Sequence, residues 1–178
     1  MNNYGDIVKR VRKHDAQAQM IFYDFFVRSV FLSAVAVTGN ENEAEEITQD
    51  TMLKVFDKTD ILHDDEVAMG RILKRMAINA AINTIRRRKD FVISVEDMPD
   101  MEDSEIEDDS CDFSIEEVKE AIASLSDCYR TILSLRLFEE MSYSEIAELL
   151  NIKCTTARVQ YKRGITQLKQ ILIKKIKL

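Results

Sequence analysis

The sequence predicts an all-α protein made of two small helical domains joined by an acidic, flexible linker. Three observations predict it. The 178 residues include one Pro and four Gly, so few positions interrupt a helix. Apolar residues recur at spacings of three and four along successive segments, the period of an amphipathic helix. Charge is segregated beneath a net charge of −7: residues 71–89 hold seven bases and no acid, 152–178 hold eight bases and no acid, and 90–112 hold eleven acids and no base. Two basic surfaces separated by an acidic strap describe the chain better than its net charge does. The expected boundaries are 1–90 for the first domain, 91–113 for the linker and 114–178 for the second domain.

Composition narrows the function classes. With 46% apolar residues the chain can build cores. Cys111, Cys128 and Cys154 are odd in number and widely spaced, without the C-x-x-C or Cys/His pairing of a zinc site, and they fit a reduced, cytoplasmic setting. The N-terminal MNNYGDIVKRVRKHD carries charges where a signal peptide needs its apolar core. No later run is expected to reach the length of a membrane span, so a soluble protein without membrane insertion is expected. Only His14 and His63 are available for acid–base work, both among charges, and no Gly-rich phosphate loop, H-E-x-x-H or nucleophile motif is present. Catalysis, a cofactor and a metal are therefore not expected.

The elements follow in order. Residues 20–38 read as a central buried helix, with Ile21, Phe22, Phe25, Phe26, Val30 and Phe31 as a wide apolar stripe. Gly39 can close it in left-handed geometry, and Asn40 or Asn42, each with Glu three residues on, can cap the next helix. That helix, 43–58, turns Ala44, Ile47, Met52, Val55 and Phe56 inward and leaves Glu45, Glu46, Gln49, Asp50 and Lys54 outside. Most acidic faces of this kind are simply solvated. After a polar break at 60–66, a helix over 67–88 stacks Arg75, Asn79, Asn83 and Arg86 along one face, with Arg71 before them and Arg87, Arg88 and Lys89 after. Asn can pair with a base edge and Arg can anchor phosphate or stack on an exposed base. The flanking Ile78, Ile82 and Ile85 would add aliphatic surface for an unstacked base. Two Asn on a helix often only bridge neighbouring chain, but a pair framed by Arg without acids points to nucleic acid.

Residues 91–112, with Pro99 and the run EDMPDMEDSEIEDD, cannot bury enough apolar surface to offset ordering and are expected to be a linker. Ser114 with Glu117 opens a capped helix carrying Ile115, Val118, Ile122 and Leu125. Ser126 and Asp127 start another, with Tyr129, Ile132, Leu133, Leu137 and Met141 inside. Ser142 with Glu145 forms a further capping box before a short helix faced by Ile146, Ala147, Leu149 and Leu150, which Asn151 can end after two turns. A second helix follows at once. Ala157, Tyr161, Gly164, Ile165 and Leu168 are spaced for its buried face, leaving Arg158, Gln160, Lys162 and Arg163 on the remaining surface. A basic face alone is usually just solvated. A short first helix, a small Ala147 at the crossing and a second helix without acids together describe a helix-turn-helix, whose second helix lies in the DNA major groove.

At this point the chain resembles a small bacterial RNA polymerase sigma factor of the extracytoplasmic-function group, within the sigma-70 superfamily. The resemblance runs from about Met20 to Leu172, interrupted by the linker. TGNENEAEEITQDTMLKVF is similar to the family's polymerase-binding helix, and AINAAINTIRRRK to its helix for the minus-10 promoter element. LSDCYRTILSLRLFEEMSYSEIAELLNIKCTTARVQYKRGITQLK resembles its minus-35 domain. The resemblance implies sigma region 2 in the first domain and sigma region 4 in the second. It implies that Glu46, Gln49, Asp50 and Leu53 meet core RNA polymerase, at the coiled coil of its largest subunit. Arg75, Asn79, Asn83, Arg86 and Arg87 would face the minus-10 element, and Thr156, Arg158, Val159, Lys162 and Arg163 the minus-35 element. The implied partners are core polymerase, promoter DNA and an anti-sigma factor. The chain departs from the pattern at Asn83, where many members carry Asp, at Ile78, where a base is common, at Lys153 in the usual Ser cap, and at Val159, which replaces a frequent Ser.

Two further classes compete with this non-catalytic subunit. One is a dimeric helix-turn-helix regulator that binds an operator through the second domain and dimerises through the first. Its half-sites would be palindromic, whereas a sigma factor reads two dissimilar elements in one orientation. The other is an enzyme, for which the residues supply no machinery.

Overall fold

The computed structural model describes residues 3–88 and 113–176, and among them every regular element is a helix. The expected linker at 91–112, with Cys111, lies outside the described residues. The chain divides into two compact units, Met1–Thr84 and Ile85–Leu178.

The first unit begins with a helix that periodicity had not singled out, α1 (Tyr4–Val11). It buries Ile7, Val8 and Val11, and at eight residues it is too short to be stable without that burial. Long-range bonds hold it in place. Arg12 donates to the Leu62 carbonyl at 2.8 Å and pairs with Asp64 at 2.8 Å, and the Tyr4 hydroxyl donates to the His63 carbonyl at 3.2 Å. Helix α2 (Ala16–Thr38) is capped by Asp15, whose carboxylate accepts from Gln17 and Ala18. The Arg10 guanidinium beside Asp15 holds that carboxyl below its ordinary value. Gly39 ends α2 at φ 64°, left-handed geometry that glycine adopts without strain, and donates to the Val35 carbonyl.

Helix α2 is 23 residues long and contains an 18-residue stretch of mean hydropathy 1.7, long and apolar enough by length and composition to cross a membrane. This corrects the expectation that no run reaches that length. The composition has a core role in this unit, where Phe22, Phe26, Val30, Ala34 and Val37 are buried. The Phe22 ring packs on Phe26 at 4.8 Å and on Phe56 at 5.9 Å. Phe25, expected in the buried stripe, is instead 53% exposed. Asn40 caps α3 (Glu41–Asp57) by accepting from Glu43, which settles the choice between Asn40 and Asn42. After a short 3-10 turn (Thr59–Ile61), Asp65 accepts from the Ala68 amide at 2.6 Å at the start of α4 (Glu66–Arg86).

The second unit holds α5 (Ile115–Ala123), α6 (Asp127–Leu137), α7 (Tyr143–Leu150) and α8 (Cys154–Ile176). Both expected capping boxes are present, Ser114 with Glu117 and Ser142 with Glu145, whereas Ser126 makes no side-chain cap bond. Its core joins Ala121, Ile122, Leu125, Leu133, Leu168 and Leu172. Leu137 was expected inside and is 42% exposed, because α6 ends on it and the chain has already turned away from the core. Arg130, for which spacing gives no reading, packs inward. It is buried, donates to the Leu125 carbonyl at 2.9 Å and pairs with Asp127, so it ties the end of α5 to the start of α6.

Candidate nucleic-acid interface

The helix-turn-helix forms from local bonds. Ser142 accepts from the Glu145 amide while Glu145 accepts from the Ser142 amide at 2.8 Å, fixing the first turn of α7. Asn151 stops α7 at φ 55° and ψ 50° after eight residues. Ile152 then donates to the Ala147 carbonyl at 2.9 Å, and the Ala157 amide to the Lys153 carbonyl at 3.1 Å as α8 begins. Ala147 and Ala157 are both buried, which lets the two helices approach closely. Further along α8, Gly164 sits where a Cβ would meet the Leu133 side chain at 3.2 Å and the Tyr129 Cβ at 3.4 Å. Glycine here sets the distance between α8 and α6.

Of the expected minus-35 residues, Arg158 is exposed, while Thr156, Val159, Lys162 and Arg163 are half-buried. Gln160 was expected on the exposed surface and is 4% exposed. It lies three residues after Ala157 and four before Gly164, on the packed face, where the Cys128 Sγ approaches its Oε1 at 4.0 Å. Burial pushes the Cys128 thiol up to about 11, so it is a protonated core group. Two residues not singled out as functional stand beside Arg158. The Arg158 guanidinium carbon is 5.6 Å from the centroid of the Tyr143 ring, and that of Arg136 is 5.1 Å from it. No sequence spacing relates Arg136, Tyr143 and Arg158, which lie on three different helices or helix ends.

On α4, Arg71, Arg75, Asn79, Asn83 and Arg86 are all exposed, as the spacing requires, and so is Arg87 just after its end. Ile78, Ile82 and Ile85 are buried, at 3%, 2% and 0% exposure. The expectation that they add aliphatic surface to this face is therefore corrected: they lie about a quarter turn round from the amide stripe, on the flank of the helix that is buried, so their side chains are covered. On α3, Glu46, Gln49, Asp50 and Leu53 are exposed at offsets of three, four and seven, so they share one face. Leu53 stands out on it, 58% exposed among acids. Among the described residues no group of three or more His, Cys, Asp or Glu could hold a metal ion.

A helix-turn-helix with an acid-free second helix, preceded in the same chain by a helix bearing an arginine and amide stripe, is the arrangement of a DNA-binding protein. The comparisons narrow the class. Sigma-70 region 2 matches residues 23–91, and Sigma-70, region 4 matches residues 115–168. Together the two regions take up more than half of the chain. The ECF RNA polymerase sigma factor SigW of Bacillus subtilis (strain 168) is 28% identical over 93% of this chain and 94% of its own length. SigE of Mycolicibacterium smegmatis, also an ECF RNA polymerase sigma factor, is 29% identical over 89% of this chain and 64% of its own length. Among solved structures, the sigma factor RpoE in complex with the anti-sigma factor NepR from Bartonella quintana is alike in fold, with a TM-score of 0.54 at 19% identity over 86% of this chain and 95% of that one.

The chain belongs to the sigma-70 family of RNA polymerase sigma factors, in its extracytoplasmic-function group. It serves promoter-specific initiation of transcription, with core polymerase and promoter DNA as partners. Both regions occur in the family's order, which does not favour an operator-binding dimer.

Proposed function

We propose that the chain divides this work by domain, with residues 1–90 binding core polymerase and the minus-10 element, and 114–178 binding the minus-35 element. The subunit is non-catalytic, needs no cofactor and acts in the cytoplasm, where polymerase and template are. Glu46, Gln49, Asp50 and Leu53 form the core-polymerase contact. Arg75, Asn79, Asn83, Arg86 and Arg87 face the minus-10 element, while Thr156, Arg158, Val159, Lys162 and Arg163 face the minus-35 element. An anti-sigma factor is a third partner, suggested by the protein bound to RpoE of Bartonella quintana.

The observation that carries the reading is the exposed face of α3. A half-exposed leucine among acids is apolar surface that folding leaves uncovered, and the surrounding carboxylates suit a basic partner. Asp50→Arg reverses one charge on this solvated face. Folding stability is expected to change by no more than about 0.5 kcal/mol. Core affinity is expected to fall about tenfold, equal to about 1.4 kcal/mol. The check is titration of labelled variant into core polymerase, with run-off transcription alongside. An unchanged affinity removes α3 from the polymerase interface.

A further inference from the structure

Tyr143 opens α7, yet its side chain belongs to the surface of α8. Its ring packs edge-on against Tyr161, with centroids 5.7 Å apart. Arg136 stacks on the same ring, and its Nη1 is tied down by donating to the Met141 carbonyl at 3.0 Å. The ring is thus held from both α8 and the end of α6. Arg158 lies three residues before Tyr161, on the same stretch of helix surface, with its guanidinium carbon 5.6 Å from the ring centroid. A guanidinium within about 6 Å of an aromatic centroid is attracted to the negative face of the ring. That attraction leaves the N–H donors unused. Among the described residues the Arg158 side chain makes no hydrogen bond and no ion pair, so its donors remain available to an acceptor outside the chain.

We propose that Tyr143 is the positioning residue for Arg158, its ring holding the recognition-helix guanidinium in place before DNA binds. This rests on the reading of α8 as the minus-35 recognition helix. A long arginine side chain in free motion must be ordered on binding, and that entropy cost reduces both affinity and selectivity. A ring fixed by Arg136 and Tyr161 meets part of the cost during folding. Tyr143 needs no base contact of its own for this. The role requires the aromatic face and not the hydroxyl.

The test uses holoenzyme assembled from core polymerase and the full chain, with affinity for promoter duplex and base preference in a randomised minus-35 library as readouts. Thermal melts confirm that each variant folds. Tyr143→Leu is expected to weaken promoter binding about two- to fivefold, the fold-change of one exposed cation–π contact. It should flatten the preference at the same position that Arg158→Ala flattens. Tyr143→Phe should keep the parent's affinity and profile, and the double variant Tyr143→Leu with Arg158→Ala should match Arg158→Ala alone. The base profile does not depend on the fraction of protein folded, so a less stable Tyr143→Leu still reports. A parent profile for Tyr143→Leu, or a loss that adds in full on the Arg158→Ala background, overturns the proposal, as does a Tyr143→Phe loss equal to that of Tyr143→Leu. A parent profile for Arg158→Ala instead overturns the minus-35 reading of α8 itself, and the positioning role with it.

Discussion

Asn79 stands exposed on α4 while Ile78 and Ile82 beside it are buried, so the face it shares with Arg75 and Asn83 consists of amides and guanidiniums. Such a face can pair with the edge of a base but offers little apolar surface to stack on. An Asn amide selects a base by a donor and an acceptor together, and the pairing edge is free only on an extruded or separated strand. Asn79→Ala is therefore expected to leave closed-complex binding nearly intact and to lower open-complex formation by about 1 to 3 kcal/mol. Permanganate footprinting on duplex promoter, beside binding to bubble templates differing at each minus-10 position, checks both halves. Equal footprints and an unaltered base preference would mean that the amide stripe serves the protein's own structure. At this scale, exposure was legible where periodicity gave one answer, as for Asp50 and Asn79. It failed for Gln160 and gave no reading of Arg130; both residue types favour the surface, but their partners bring them inside.

The helix-turn-helix is the element whose geometry depends on the smallest side chain. Gly164 lies within α8, where alanine in its place would by propensity add about 1 kcal/mol of stability. The new Cβ would stand 3.2 Å from Leu133 Cδ1 and 3.4 Å from Tyr129 Cβ. Leu133 is fully buried and has no open side toward which to yield, and overpacking of this kind costs about 1 to 3 kcal/mol. The clash outweighs the propensity gain. Gly164→Ala is expected to destabilise by about 1 kcal/mol net and to push α8 away from α6, measured as a lower urea midpoint with loss of minus-35 binding. A rise in the midpoint would mean that the helices separate without strain. The short α7 was legible as an element because both of its ends are set within a few residues, by Ser142 with Glu145 and by Asn151. Helix α1 was not, since its eight residues form against α2 and the segment after the 3-10 turn.

For the whole molecule, a net charge of −7 argues against nucleic acid only if the charges are mixed, and they are not. Two different DNA-facing elements in one chain require two different sequences in one orientation. Inverting the minus-10 element relative to the minus-35 element is expected to abolish run-off transcription, and a palindromic duplication of the minus-35 half-site should not restore it. Transcription from the palindrome would instead favour a dimeric reader. Raising salt should weaken binding steeply, because each phosphate neutralised by the acid-free 152–178 segment contributes a log–log slope of about −0.9.

The all-α class, the order of the principal helices, the caps at Ser114, Ser142, Gly39 and Asn151, and the segregation of charge can be read from the residues alone. Each depends on bonds or periodicities that span a few residues. Packing in three dimensions makes Arg130 a buried clamp, puts Gln160 on the packed face of α8, and leaves Leu137 and Phe25 exposed. It also placed Arg136 and Arg158 at the ring of Tyr143. These outcomes turn on which distant side chains meet once the helices cross, and helix packing, unlike capping, leaves no fixed spacing in the chain to be read.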